Sequence, residues 1–344
     1  MYAQDDWRVR SELTLNMGLR YEFVTPVWES HNELSNFSPT TQQLVLASSG
    51  SLYNRALVNP NRLNFAPRFG FAFTLDSRTV VRGGYGLSYQ QFNRVAGANE
   101  LASNLPNSVD IPITQFAPAA KTGAQPLCAD TGPLPSSDLG TCFVATQQGY
   151  PTGMLTPPTA PFNLILNTPT YVPAHTPTEY VQSFQLNVER QLANHLILSI
   201  GYVGNTGTHE LLLADFNQAT PDNAAGTVPL QSRRPFNTTY CCSDISMAFN
   251  EGNSNYNSLQ IKLEKRYRDG LYFINSFTWS HTIDDASGHL EEDDGDSEYV
   301  NLYNIAGDRG RSSLDQPIND TFAVTYDLPY GRGRPFGTTA PYLL

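Results

Sequence analysis

Leu13-Thr14-Leu15-Asn16-Met17-Gly18-Leu19-Arg20-Tyr21-Glu22-Phe23 places an apolar side chain at every odd position and a small or polar one at every even position. A period of two is that of a β-strand with one apolar face, and this unbroken run predicts a strand of about eleven residues. The alternation recurs along the chain. Phe65, Phe69, Phe71, Phe73 and Leu75 oppose Ala66, Arg68, Gly70, Ala72 and Thr74, with Pro67 best placed near the strand start. Residues 79–90 set Val81, Tyr85, Leu87 and Tyr89 against Arg82, Gly84, Gly86 and Ser88. Residues 181–191, 196–205, 257–267, 271–281 and 319–328 repeat the pattern, as in Leu259, Ile261 and Leu263 against Gln260, Lys262 and Glu264. With residues 2–9, about nine strands are predicted.

The connections alternate as strictly as the side chains. Arg10-Ser11-Glu12, Asp76-Ser77-Arg78, residues 192–195 and Arg268-Asp269-Gly270 suit hairpin turns. Between the hairpins lie long polar segments, near 24–64, 91–180, 206–255 and 283–318. Strands of a globular sandwich run nearer five or six residues, with loops of mixed length. Strands near ten residues match a bilayer-spanning barrel, as does the asymmetry of short turns at one end and long loops at the other. The expected fold is all-β: part of a large antiparallel transmembrane β-barrel with short periplasmic turns and long extracellular loops. Trp7, Phe23, Tyr89, Tyr202, Tyr267, Trp279, Tyr326 and Tyr330 fall near strand ends, where interfacial girdles sit. The competing reading is a soluble β-sandwich that buries its odd-face aromatics in a core.

Composition narrows the function classes. The 344 residues carry 21 Lys and Arg against 32 Asp and Glu, a formal charge of −11. That balance argues against a nucleic-acid binder and against an anchor for anionic lipid heads. Charged residues are 15% of the chain, below the roughly 25% of soluble domains. No apolar stretch is long enough for a transmembrane helix. The start, Met1-Tyr2-Ala3-Gln4-Asp5-Asp6-Trp7, lacks a basic region followed by an apolar one, so no signal peptide is expected there.

Several stretches resemble the barrel of TonB-dependent outer-membrane receptors, nearest the Oar-like group whose members carry a carboxypeptidase-regulatory-like domain. They are Tyr2-Ala3-Gln4-Asp5-Asp6-Trp7, Leu13 to Glu22, and Asn64-Phe65-Ala66-Pro67-Arg68-Phe69-Gly70 with Val81-Arg82-Gly83-Gly84-Tyr85-Gly86. Gly201-Tyr202-Val203-Gly204 with Gly207-Thr208-His209, and Asn255-Tyr256-Asn257-Ser258-Leu259-Gln260, follow in the same order. So do Phe277-Thr278-Trp279-Ser280-His281 with Ile283-Asp284-Asp285, and Asp308-Arg309-Gly310. The resemblance implies an outer-membrane location in a Gram-negative bacterium and active uptake of a large or scarce nutrient: a glycan, a peptide or a metal chelate. It also implies a plug domain, a TonB-type energising complex and an extracellular ligand as partners. The family pattern has 22 strands and an N-terminal plug, so the chain is expected to be an internal fragment of such a barrel. A passive porin and a surface adhesin or structural outer-membrane protein are the alternatives.

No constellation for catalysis stands out, and neither a metal nor a cofactor is expected. Cys128 and Cys142 lie in one long loop, where an exported protein permits a disulfide. Cys241 and Cys242 are adjacent, and no CxxC pair occurs. The acidic run Glu291 to Glu298 offers hard oxygen ligands without EF-hand spacing, or is simply a solvated loop. Six scattered histidines include no HExxH. Gly83-Gly84-Tyr85-Gly86 sits inside a predicted strand with no helix after it, so it is no phosphate loop; its glycines are expected on the inward face, or where a plug approaches closely. The polar faces supply the candidate transport-path residues: Arg20, Glu22, Arg68, Arg82, Glu189, Lys262, Glu264 and Arg266, with Gln185 and Asn187 beside them. They read more simply as a generic polar lining, which every large barrel needs. Leu15, Leu19, Phe71 and Phe273 are expected to face lipid, and Asn16, Arg20 and Lys262 the lumen.

Overall fold

The computed structural model of the chain describes residues 1–90, 100–108, 159–162, 164, 168–222, 226–237, 242–285, 300–331 and 334–337. The strands are β1 (Tyr2–Arg10), β2 (Leu13–Glu22), β3 (Ser35–Ser38), β4 (Gln43–Leu46), β5 (Asn64–Asp76), β6 (Thr79–Gln90), β7 (Thr170–Tyr171), β8 (Glu179–Ala193), β9 (Leu196–Asp215), β10 (Ser246–Arg268), β11 (Leu271–Asp284), β12 (Gly310–Arg311) and β13 (Ile318–Tyr326). Nine long strands pair antiparallel in the order β1-β2-β5-β6-β8-β9-β10-β11-β13. The sheet is open: the outer edges of β1 and β13 have no strand partner among the described residues. No described helix is long and apolar enough to cross a membrane.

The register settles which side chains share a face. One line of directly opposed residues runs Trp7, Leu15, Phe71, Gly83, Leu186, Tyr202, Leu259, Trp279, Ile318. The line beside it runs Asp6, Asn16, Gly70, Gly84, Gln185, Val203, Ser258, Ser280. Leu15, Leu19, Phe71 and Phe273 thus lie on the apolar face, and Asn16, Arg20 and Lys262 on the other, as their alternation predicts. The apolar face is exposed along its length; Leu19, Leu186, Trp279 and Phe322 are 50%, 49%, 61% and 63% accessible. Such a surface on a sheet of ten-residue strands belongs in hydrocarbon. Trp7 is three residues from its hairpin and Trp279 eight from its own, although both sit on one register line. The strands therefore climb relative to one another, as tilted barrel strands must. Polar residues interrupt the apolar face at several points: Asp5 opposite Met17; Asn275, whose Nδ2 donates to Asp320 Oδ1 at 2.7 Å; and Gln182 and Asn257, which accept from the Tyr85 and Tyr202 hydroxyls.

Two glycines on the apolar face have a specific task. A Cβ on Gly83 would lie 2.3 Å from the Phe71 ring, and one on Gly204 2.3 Å from the Phe184 ring. Each ring lies down over the glycine opposite it, covering backbone that would otherwise face lipid. Gly84 and Gly86 face inward as expected, but Gly83 does not. At the short end, Asp269 and Gly270 adopt φ of 55° and 79°, the pair of left-handed residues that a two-residue hairpin requires. Asp76 holds another turn, accepting from Arg78 N at 2.7 Å and Thr79 Oγ1 at 3.0 Å.

The long strands overrun their expected ends. β9 continues to Asp215 and β10 begins at Ser246, so the connection expected over 206–255 shrinks to 216–245. The reason is a bulge: Glu210 opposes Gly252 while Thr208 opposes Asn253, and the intervening His209 takes φ 59°. An extra residue resets the period of two, so the alternation fails while the pairing persists. Beyond the bulge the long connections fold together over the sheet end. Phe37, Leu44, Leu105, Phe162, Leu164 and Ile245 form one buried cluster from distant parts of the chain. Two buried asparagines stitch them. Asn104 donates to Ser35 O and Thr170 O at 2.9 and 2.8 Å and accepts from Thr170 N at 2.6 Å. Asn36 bonds both backbone groups of Val172, at 2.8 and 3.1 Å. Cys242 is buried in the same cluster and disulfide-bonded. Cys128, Cys142 and the run Glu291 to Glu298 lie outside the described residues.

A branched side chain at Gly204 must displace the Phe184 ring against its own strand, an overpacking cost of about 1–3 kcal/mol. Gly204→Val is expected to lower the temperature at which the intact protein loses its compact form in semi-native electrophoresis, and Gly204→Val with Phe184→Leu to restore much of it.

Candidate functional site

All eight candidate residues share the polar face. Arg20 Nε lies 2.6 Å from Glu22 Oε1, Lys262 Nζ 2.9 Å from Glu264 Oε2, and Arg82 Nη1 3.9 Å from Glu189 Oε2. Register explains the pairings. Arg82 opposes Asn187, two residues along β8 from Glu189, while Lys262 and Glu264 are i and i+2 on β10. Arg82, Glu189, Lys262, Glu264 and Arg266 line one concavity of about 510 Å³ with Gln185, Asn187, Ser199 and Gln260. A second, of about 610 Å³, shares Arg82 and Gln185 and adds Gln4, Asn16, Arg68 and Gly70. Five of the eight residues are thus brought together; Arg20, Glu22 and Arg68 stand further round the wall. The charged side chains here stay accessible, Arg82 to 59%, Lys262 to 47% and Glu189 to 40%. Ion pairs that exposed contribute about 0–1 kcal/mol, so the fold does not depend on them.

A second group lies where β9, β10 and β11 rise past the apolar belt. Arg309 Nη1 donates to Asp285 Oδ1 at 2.7 Å and to Asn253 O at 3.2 Å, and Arg309 Nη2 to Asn255 Oδ1 at 2.5 Å. Asp285, 7% exposed, also accepts from Asn253 N at 2.8 Å. Asn255 Nδ2 donates to Thr206 Oγ1 at 3.0 Å. Beside them Ser254 Oγ donates to Glu210 Oε1 at 2.6 Å. Burial pushes the Glu210 carboxyl up, against the Ser254 hydrogen bond. Glu179, at the outer end of β8, is pushed up to about 7 by burial first and by Glu210 second. Neither carboxyl was a sequence candidate. Glu210 follows the bulge that ended the readable alternation, and Glu179 stood just outside its expected strand. A signal for part of the network was already present: Gly207 to His209, Asn255, Asp284-Asp285 and Asp308-Arg309, scattered over a hundred residues, are stretches of the receptor resemblance, although Thr206 is not.

Among the described residues no group of His, Cys, Asp and Glu is arranged to hold a metal ion. The polar wall can therefore offer hydrogen bonds and charge, and the outer network can fix how three strands and the returning segment 300–311 meet.

The family described as outer membrane beta barrel domain matches residues 1–344. No curated protein sequence matches the chain. Among solved structures, the outer membrane transporter YddB from Escherichia coli is similar at 12% identity and a TM-score of 0.44, covering 94% of this chain and 39% of that one. The ferric enterobactin receptor PfeA from Pseudomonas aeruginosa, solved with enterobactin, aligns at 11% identity and a TM-score of 0.41 over 95% of this chain and 37% of that one. FpvAI in its complex with pyocin S2 aligns at 8% identity and a TM-score of 0.42, over 94% of this chain and 25% of that one. The chain spans well under half the length of these structures.

Two outcomes follow from the outer network. Arg309→Ala leaves the Asp285 carboxylate buried without its cation and is expected to cost about 3 kcal/mol locally. Amide exchange at the outer end of β11 should quicken about a hundredfold, and Arg309→Ala with Asp285→Asn should recover part of that. Glu179 is protonated in the fold up to about 7 and only to its ordinary value near 4.5 when unfolded. Its contribution is thus fully present below pH 4.5 and lost as pH rises to 7. Amides of residues 170–178 should exchange faster at pH 8 than at pH 5 after correction for intrinsic rates, and Glu179→Gln should remove most of that difference.

Proposed function

The chain belongs to the outer membrane β-barrel family, and on that footing we propose that it supplies part of the barrel of a TonB-dependent receptor, nearest the Oar-like, carboxypeptidase-regulatory-like-domain-containing group, that takes up a large or scarce nutrient. The outer membrane of a Gram-negative bacterium is its location. Glycans, peptides and metal chelates are the nutrient classes in view.

One observation carries the reading. The stretches that resemble the receptor group divide by position. Some form the two-faced strands that any bilayer barrel needs. The others, which no barrel needs, meet in the Arg309, Asp285 and Asn255 network at the outer rim. A passive pore asks only for a polar wall, whereas a receptor must also hold long outer connections in a defined arrangement over the lumen. The buried clusters above the sheet provide that arrangement. Arg20, Glu22, Arg68, Arg82, Glu189, Lys262, Glu264 and Arg266 then face a plug or a substrate path. In the intact protein the partners are membrane lipid, a plug domain, an energising TonB-type complex and an extracellular ligand; no cofactor is called for and no nucleic acid is bound.

Deleting the gene in its host and testing growth on glycans, peptides and chelated iron as limiting nutrients examines this reading. Growth should fail on one class, and loss of the energising complex should reproduce the failure. Uptake that survives without that complex would instead mark a passive pore. Normal growth on every class with lost surface attachment would mark an adhesin.

A further inference from the structure

The charges of the inner wall do not balance at its short-turn end. Arg82 lies three residues into β6, Glu189 four from the end of β8, and Lys262, Glu264 and Arg266 six, four and two from the end of β10. At a rise of ~3.4 Å per residue along tilted strands, all five fall within about 15 Å of the hairpins. Lys262 has Glu264 and Arg82 has Glu189, the latter at 3.9 Å. The guanidinium of Arg266 meets no carboxylate and no hydrogen-bond acceptor among the described residues. A third concavity, of about 600 Å³, continues the first one down to the hairpins through Glu189 and Arg266 and brings in a further cation, Arg78. The patch therefore holds four cations against two anions.

The shape of the patch bears on what would answer it. A small anion is held by donors that converge on one point. These cations are instead spread from β6 to β10, about 14 Å across at the usual strand spacing, on an open curved wall. A surface presenting several carboxylates fits such a spread. We propose that the periplasmic end of this inner wall is the seat of an acidic polypeptide segment lodged in the lumen, with Arg266 and Arg82 as its main contacts and Lys262 beside them. This rests on the receptor reading, in which the lumen is filled by protein. It adds the sign of the filling surface where it touches β6 to β10, and it makes the wall charges partners of that segment before any nutrient.

Carbodiimide, which joins an amine to a carboxylate in contact with it, tests this in the intact protein in outer-membrane vesicles. Lys262 and Glu264, 2.9 Å apart, are an internal control that should link in every sample. Arginine is inert to the reagent, so Arg266→Lys places a reactive amine at the site. Mass spectrometry should find a new link in that variant, absent from the unsubstituted protein, to an Asp or Glu outside residues 1–344. Arg266→Glu should release the segment, seen as at least a fivefold gain in its cleavage by protease from the periplasmic side. A control link with no new partner, or new links only to Glu189 and Glu264, would overturn the proposal and leave the receptor reading standing. So would planar-bilayer recordings in which the unsubstituted protein is a steadily open, anion-selective pore and Arg266→Glu reverses the selectivity, since that wall would then face water; this outcome would overturn the receptor reading as well.

Discussion

Hydrocarbon offers a peptide group no hydrogen-bond partner, and an unpaired amide or carbonyl there costs several kcal/mol. The strands from β2 through β11 accordingly pair along both edges where they cross the apolar belt, with hardly a break in register. Pairing of that kind leaves side chains one freedom, to point out or in. The outward set must be apolar because it meets lipid, and the inward set is released from that demand. The alternation of Leu13 to Phe23 records this division in eleven residues.

The same constraint explains where irregularity occurs. Bulges sit near the hairpins, as between Arg8 and Arg10 or Lys265 and Arg268, and far up β9 and β10 at His209 and Asn250 to Asn253. Both zones lie beyond the belt, where water or a neighbouring side chain can take an unpaired group. Within the belt the only relief is volume. At Gly83 and Gly204 the side chain is absent, and the facing phenylalanine supplies the missing apolar cover. Above the belt, hydrogen bonds from Asn36 and Asn104 take over the strand ladder's role, so that loops cross one another without exposing buried amides.

What could be read in the sequence follows from this physics. Strands that lie in lipid obey a strict period of two, and their bounds came out within a few residues: Thr79–Gln90 as expected, and Leu13–Glu22 one residue shorter than the quoted run. The division of faces and the shared face of all eight wall residues were legible for the same reason. The outer halves of β9 and β10 were not, because a single bulged residue hides continued pairing. Nor was the outer network, since Thr206, Asp285 and Arg309 approach one another only through the register of three strands. The glycine at position 83 was grouped with its inward neighbours because it has no side chain to mark a face, although Val81 and Tyr85, two residues to either side, put it on the apolar one, opposite Phe71.

A wall that need not be apolar and is not needed for stability is where function can be placed at little cost. The accessible ion pairs of the inner face contribute little to the fold, so their charges can be chosen for what they meet. The outer network is the opposite case. Asp285 is buried, its cation and amide partners are fixed, and losing one of them exposes the rest to the full cost of an unpaired charge. The chain thus has two parts: a rim that keeps its outer connections in place, and a lining whose charged side chains stay accessible. The rigid part is held by the outer ends of β9, β10 and β11, and the accessible lining by the parts of β6, β8 and β10 nearer the hairpins.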